Sequence, residues 1–206
     1  MTLSSIDLTA TLKPVRQATG QLSSAEKCSQ ALEAMGQAIS DRKDDILEAN
    51  TLDLEISRDM AVPELVVDWL KLTPERVKIA ATICHRLAAL GTAFPATDGG
   101  DGTSAYYQTR PVGIVGMIYE AFPDLGAIAA ALCIRTGNAL VLKGGSEASR
   151  TNQIIASILK ESLKSVELST DLIFPIDATT EVSRRDLASC NEIDLIIPHG
   201  RPSLVE

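Results

Sequence analysis

Apolar residues in the first half of the chain recur at intervals of three and four, the spacing that puts side chains on one face of a helix. Leu32, Met35 and Ile39 share such a face in a segment preceded by Ser23, and Ile46, Ala49 and Leu52 share one in a segment opened by Asp41. Thr73-Pro74 starts a third segment that carries Val77, Ala80, Cys84 and Leu87. A hydroxyl or carboxylate ahead of each run, and proline in the first turn of the third, are helix-start signals. Three amphipathic helices are expected. The glycine- and aspartate-rich stretch Thr97 to Thr103 reads as a loop that ends this region.

Beyond it the period changes. Gly113 to Tyr119, Ala139 to Lys143, Leu172 to Ile176 and Ile193 to Pro198 are short apolar runs of the strand type. Between them lie helical patterns at Asp124 to Thr136, Glu147 to Ser165 and Thr179 to Ser189. Strands that are apolar throughout and alternate with helices imply an α/β fold with a parallel sheet covered on both faces, joined by right-handed crossovers. The expected architecture is a helical region, 1–103, packed on a Rossmann-like region of about four strands, 104–206. Glu206 follows the fourth strand by a few residues, where a further covering helix is expected, so the fold reads as truncated.

Composition narrows the function classes. A formal net charge of -8 over 206 residues leaves no basic surface for nucleic acid or for an anionic membrane, which points to small molecules and other proteins as partners. No apolar run approaches the roughly 20 residues of a membrane helix, and Met1 to Ala10 lacks a secretory pattern, so a cytoplasmic protein is expected. Cys28, Cys84, Cys133 and Cys190 are widely spaced and form no metal or disulfide pattern, which reads as buried thiols.

The strongest site candidate is Lys143-Gly144-Gly145-Ser146-Glu147, where a strand's carboxyl end meets a helix, the place at which open α/β sheets bind ligands. The glycines permit close backbone approach, Ser146 is a candidate helix cap, and Lys143 brings a cation to the mouth of the cleft. Glu147 repels a pyrophosphate, so ribose hydroxyls are expected near Glu147 and a 2'-phosphate near Lys143. The alternative is a plain capped turn with a solvated lysine. The strand Val112 to Ile118 holds two glycines without the G-x-G-x-x-G fingerprint, and these fit close packing by a neighbour as well as a ligand role. Glu120, Phe122 and Asp124 follow it and are candidates to line a substrate pocket, although helix capping alone would explain Asp124. His199-Gly200 begins a turn whose amides suit phosphate, or else an exposed chain end. His85 has no acid or cysteine at a spacing that would make a triad or metal site and reads as structural or as a surface residue.

The segments VGIVGMIYEAFPD, AALCIRTGNALVLKGGSEASRTN and EIDLIIPHG, with the helical stretches from Asp41 to Asn50 and from Leu72 to Val77, resemble the gamma-glutamyl phosphate reductases of the aldehyde-dehydrogenase superfamily. These enzymes are also called glutamate semialdehyde dehydrogenases. The likeness runs in order along nearly the whole chain. It implies an enzyme of proline biosynthesis that uses NADPH to reduce gamma-glutamyl phosphate, with a cysteine thiolate forming a thioester before hydride transfer. In the family that cysteine lies in a second domain, well after the segment corresponding to Asp194 to Pro198, and is expected to be absent from these 206 residues.

Two departures from the family pattern fall in the candidate site. Glu-Ala-Arg-Pro-Asn becomes Glu120-Ala121-Phe122-Pro123-Asp124, which removes an arginine suited to an anionic substrate, and Ile-Pro-Arg-Gly-Gly becomes Ile197-Pro198-His199-Gly200-Arg201. Lys143 stands for an arginine. Three readings stay open: part of a working reductase, a truncated homologue that binds nucleotide or a partner without catalysis, and a structural relic. A homodimer or a complementary chain carrying the catalytic domain is the expected partner.

Overall fold

The computed structural model describes residues 7–90, 97–98, 106–107, 110–178 and 180–202, with only the backbone of 97–98 and 106–107 described. Five helices come first: α1 Leu8–Ala18, α2 Ala25–Asp41, α3 Lys43–Asp59, α4 Glu64–Leu70 and α5 Pro74–Ala89. The short strands β1 Thr97–Asp98 and β2 Tyr106–Tyr107 pair antiparallel, so the expected loop contains a strand at its start, and the rest of it lies outside the described residues. The second part contains β3 Ile114–Tyr119, α6 Asp124–Arg135, β4 Ala139–Gly144, α7 Ser149–Ser165, β5 Ile173–Pro175, α8 Arg184–Ala188 and β6 Leu195–His199. Those four strands form one parallel sheet in the order β5-β4-β3-β6.

Side-chain chemistry sets the helix boundaries. Ser24, one residue later than expected, caps α2 by accepting the Lys27 amide, and Thr73 caps α5 by accepting the Arg76 amide. Helix α6 ends in a Schellman turn, with the Asn138 amide on the Cys133 carbonyl and Gly137 at φ 72°. α8 is shorter than the Thr179 to Ser189 segment expected, because Ser183 and Asp186 form a capping box that starts the helix at Arg184.

Helices α6 and α7 lie against the sheet, and α2 and α5 pack outside them. One apolar core runs through these layers and includes Leu32, Met35, Cys84, Ile134, Leu140 and Leu159. All of β3 is buried, and β4 is buried from Ala139 to Leu142. β6 departs from the expected two-sided cover, since Leu195 and Ile197 are 42% and 43% exposed. Gly116 in β3 faces this strand: a β-carbon there would stand 2.6 Å from the tip of Ile196 and 3.1 Å from Ile193, so its role is close packing.

Helix α3 corrects the periodicity. Its buried stripe is Ile46, Asn50, Asp53 and Ser57, while Leu52 is 44% exposed. Three polar residues are tolerated there because two of them satisfy buried backbone groups. Asn50 accepts the Leu72 amide at 2.8 Å and donates to the Leu70 carbonyl at 2.9 Å, and Asp53 accepts from the start of α7. Helices α1 and α4 were not expected from the pattern; Pro14 inside α1 and the short length of α4 obscure their periods.

Candidate functional site

Parallel register brings the candidate residues to one edge of the sheet. Tyr119 pairs with Gly144 on one side and with His199 on the other, so the chain leaves β3, β4 and β6 at a common level. The strand order reverses at β3, with β4 and β5 added on one flank and β6 on the other. Ligand crevices of open α/β sheets form at such a reversal.

Lys143, Gly144, Gly145 and Ser146 line a cleft of about 200 Å³ together with Ile118, Tyr119, Ala178 and Arg184. Burial and the nearby Arg184 guanidinium push the Lys143 ammonium below its usual range. The charge of Asp186 acts on Lys143 and that of Arg184 on Glu120. Ser146 does not cap the helix. It lies in a 3-10 turn, Ser146–Ala148, and α7 begins after Ala148 with no side-chain bond from its own cap.

The cap of α7 comes from α3. The buried Asp53 carboxylate accepts the Arg150 and Thr151 amides at 3.2 and 2.8 Å and the Thr151 hydroxyl at 2.7 Å. A resident carboxylate therefore occupies the anion-attracting end of this helix.

Glu147 turns away from Lys143. Its carboxylate folds over Gly145 and accepts the Ala121 amide at 2.7 Å, while Ala121 is held at φ 56°, a left-handed conformation uncommon for alanine. Glu147 lines a second cavity of about 520 Å³ with Asp53, Met60, Glu120, Arg150 and Arg201. Ser146 borders both spaces. Lys143 and Glu147, expected around a single ribose, thus face different cavities.

On the β6 side, Glu120 and Arg201 form a multidentate pair: the guanidinium donates to both carboxylate oxygens, with Nε contacts at 3.0 and 3.1 Å, and the Arg201 amide adds a bond at 3.2 Å. This hydrogen bonding holds the Glu120 carboxyl below the usual range. Phe122 stacks on Trp69 at 5.3 Å, meets His199 edge-on at 5.4 Å, and lies under the Arg76 guanidinium at 5.7 Å. Asp124 is paired with Arg76 through two contacts, so its role here is an ion pair and not a cap. His199 and Gly200 lie outside the Lys143 cleft, and His199 instead joins the aromatic cluster.

The four cysteines offer no nucleophile at these spaces. Burial raises the thiols of Cys84 and Cys133 to about 12 and also raises that of Cys28. Cys190 is half-buried against the main core. None of the four lines the three cavities described along the sheet edge and α7.

The aldehyde dehydrogenase family model matches residues 9–200. The chain belongs to the aldehyde dehydrogenase family. Within it, the chain is 40% identical over 183 residues to gamma-glutamyl phosphate reductase 2 of Synechocystis, covering 86% of this chain and 44% of that protein. It is 32% identical over 208 residues to the gamma-glutamyl phosphate reductase of Ligilactobacillus salivarius, covering 98% and 50%. The crystal structure of the Thermotoga maritima gamma-glutamyl phosphate reductase superposes with a TM-score of 0.83 at 27% identity, covering 97% of this chain and 50% of that one. The Saccharomyces cerevisiae enzyme gives 0.85 at 27% identity, covering 98% and 53%. The chain is thus a homologue of gamma-glutamyl phosphate reductases and spans about half their length.

Within this aldehyde dehydrogenase half, several residues that shape the site carried no recognisable signal. Arg184 and Arg76 sit on helices where an arginine reads as solvated, and Asp53 and Trp69 lie on elements remote in sequence from the sheet edge. A third space of about 440 Å³ runs along α7, lined by Asn152, Ala156, Lys160, Pro175 and Ile176; Tyr119 reaches it and shares a 3.0 Å bond with Asn152. No helix among the described residues is long and apolar enough to cross a membrane.

Proposed function

We propose that this chain is the NADPH-binding part of an enzyme of the gamma-glutamyl phosphate reductase type, which reduces gamma-glutamyl phosphate to glutamate semialdehyde. The observation that carries this reading is a likeness to those reductases that extends over nearly the whole chain, 98% of it in one relative. The residues at the sheet edge suit the cofactor: a glycine turn at a strand's carboxyl end, and the cations Lys143 and Arg184 lining one cleft. NADPH would supply the hydride; Lys143 and the Gly144-Gly145 turn would hold its adenosine end.

The acyl-transfer chemistry calls for a thiolate, and three of the four cysteines are buried with their thiols held neutral. On this reading these 206 residues bind nucleotide but complete the reaction only together with a cysteine-bearing catalytic domain. The exposed Leu195 and Ile197 of β6 offer an apolar surface for such a partner.

A second reading, a non-catalytic nucleotide-binding or interaction module, is favoured by the substrate side of the edge. There Glu120 is taken by Arg201, Asp124 by Arg76, and Phe122 fills the space between Trp69 and His199. Calorimetric titration with NADPH and an NADPH-consumption assay with gamma-glutamyl phosphate test both readings. Saturable binding without turnover by the pure chain is expected. Absence of binding would reject the nucleotide role, and turnover would reject the need for a second domain.

A further inference from the structure

The cavity along α7 lies beside β5, the edge strand of the sheet, and its two ends differ in chemistry. It meets the helix from Ser149, the first residue, to Lys164, one residue before the last, and so extends about 22 Å. Its volume of about 440 Å³ is in the range of small-molecule sites, yet over that length it leaves a cross-section of only about 20 Å². One extended hydrocarbon chain fills such a space; a fused ring or a peptide does not.

The walls from Tyr119 and Leu142 through Ala156 to Pro175 and Ile176 are apolar. The Tyr119 phenol is bonded to Asn152, and burial keeps it neutral. These two side chains close the inner end over the glycine turn: a β-carbon on Gly144 would stand 2.2 Å from the Asn152 amide nitrogen and 3.1 Å from the Tyr119 ring. Asp177 stands at this end, whereas the opposite end holds two ammonium groups, Lys160 and Lys164, one turn apart on the helix. Glu161, beside them, is bonded to Arg42 at 3.1 Å and to the Ser157 hydroxyl at 3.0 Å.

We propose that this cavity binds an unbranched medium-chain carboxylate, its hydrocarbon chain against Leu142, Ala156 and Ile176 and its carboxylate at Lys160 and Lys164. A narrow apolar body with one anionic end matches both the shape and the sorted polarity of the lining, and burial of the chain supplies most of the affinity. The site stands on this cavity alone and does not depend on nucleotide binding.

The test is calorimetry on the full 206-residue chain with decanoate, 1-decanol, acetate and 2-naphthoate. The unaltered protein is compared with Ala156→Leu, with the double variant Lys160→Gln, Lys164→Gln, and with the exposed control Lys27→Gln. Decanoate should bind saturably, one per chain, with 2-naphthoate weaker and acetate showing no binding. Decanol should bind about fivefold more weakly than decanoate, since partly exposed ion pairs contribute little each. The double lysine variant should lower decanoate to the affinity of decanol and leave decanol unchanged. Filling the cavity in Ala156→Leu should weaken both by about tenfold or more. Lys27→Gln should match the unaltered protein, and thermal melting shows whether each variant keeps its fold.

Failure of the unaltered chain to bind decanoate would overturn the site, as would unchanged binding in a folded Ala156→Leu. Undiminished decanoate affinity in the double lysine variant, whose changes lie at the surface, would overturn the carboxylate seat. Tighter binding of 2-naphthoate than of decanoate would overturn the assignment of a single extended chain.

Discussion

The carboxylate of Asp53, on α3, holds the first turn of α7 from outside, bonding the Thr151 amide at 2.8 Å and its hydroxyl at 2.7 Å. This bond ties the amino-terminal helix α3 to α7, which lies against the sheet, in a buried setting where each polar group left without a partner is costly. It also explains why a helix that starts beside a glycine turn does not present free amides to a ligand.

Replacing Asp53 with alanine is therefore expected to destabilise the fold by about 2–3 kcal/mol, since a helix cap and buried hydrogen bonds are lost together. Asp53→Asn should retain part of this. Urea denaturation followed by far-ultraviolet circular dichroism measures the difference, and an unchanged midpoint in Asp53→Ala would show that α7 does not depend on α3.

The glycines of the β3 segment differ in what surrounds them. At Gly113, φ is 126°, and a β-carbon would strike the Asp194 carboxylate and stand 2.6 Å from Arg16, two groups that clasp α1 to the start of β6. At Gly116 the obstacle is the flexible tip of Ile196. Gly113→Ala should cost more than about 2 kcal/mol and Gly116→Ala about 1–2 kcal/mol. Denaturation midpoints in the reverse order would contradict this account.

Acid sensitivity should follow the Glu120–Arg201 pair. Hydrogen bonding to Arg201 lowers the folded-state Glu120 carboxyl below its ordinary 4.5, so its contribution is full above that value and lost as pH falls through the folded one. Glu120→Gln should be less stable than the unaltered chain at neutral pH, and the gap should close under acid conditions below pH about 4. Thermal melts across pH 3 to 7, at roughly unit steps, read this directly. A gap independent of pH would place the effect in packing and not in charge.

Thiol labelling separates the cysteines. With burial holding Cys84 and Cys133 at about 12 and raising Cys28, only Cys190 should react promptly with a disulfide reagent in the native chain near pH 8, and all four should react in urea. Rapid native labelling of any of the other three, located by peptide mapping, would reopen the question of a nucleophile in this half.

The sequence by itself determined the class of fold and its order, because strand-type apolar runs and helix starts are local: Thr73 caps α5 and Gly137 closes α6 wherever those segments sit. It likewise brought Lys143 and the glycine turn to a strand's carboxyl end. What faces them was decided by tertiary contact alone. Arg184 reached Lys143, Arg201 reached Glu120, and Glu147 turned toward Ala121 through contacts that depend on the strand order β5-β4-β3-β6. The buried side of α3 departs from its apolar period for the same reason: Asp53 is polar by composition, and only the arrival of Thr151 and Arg150 from across the chain makes its burial favourable.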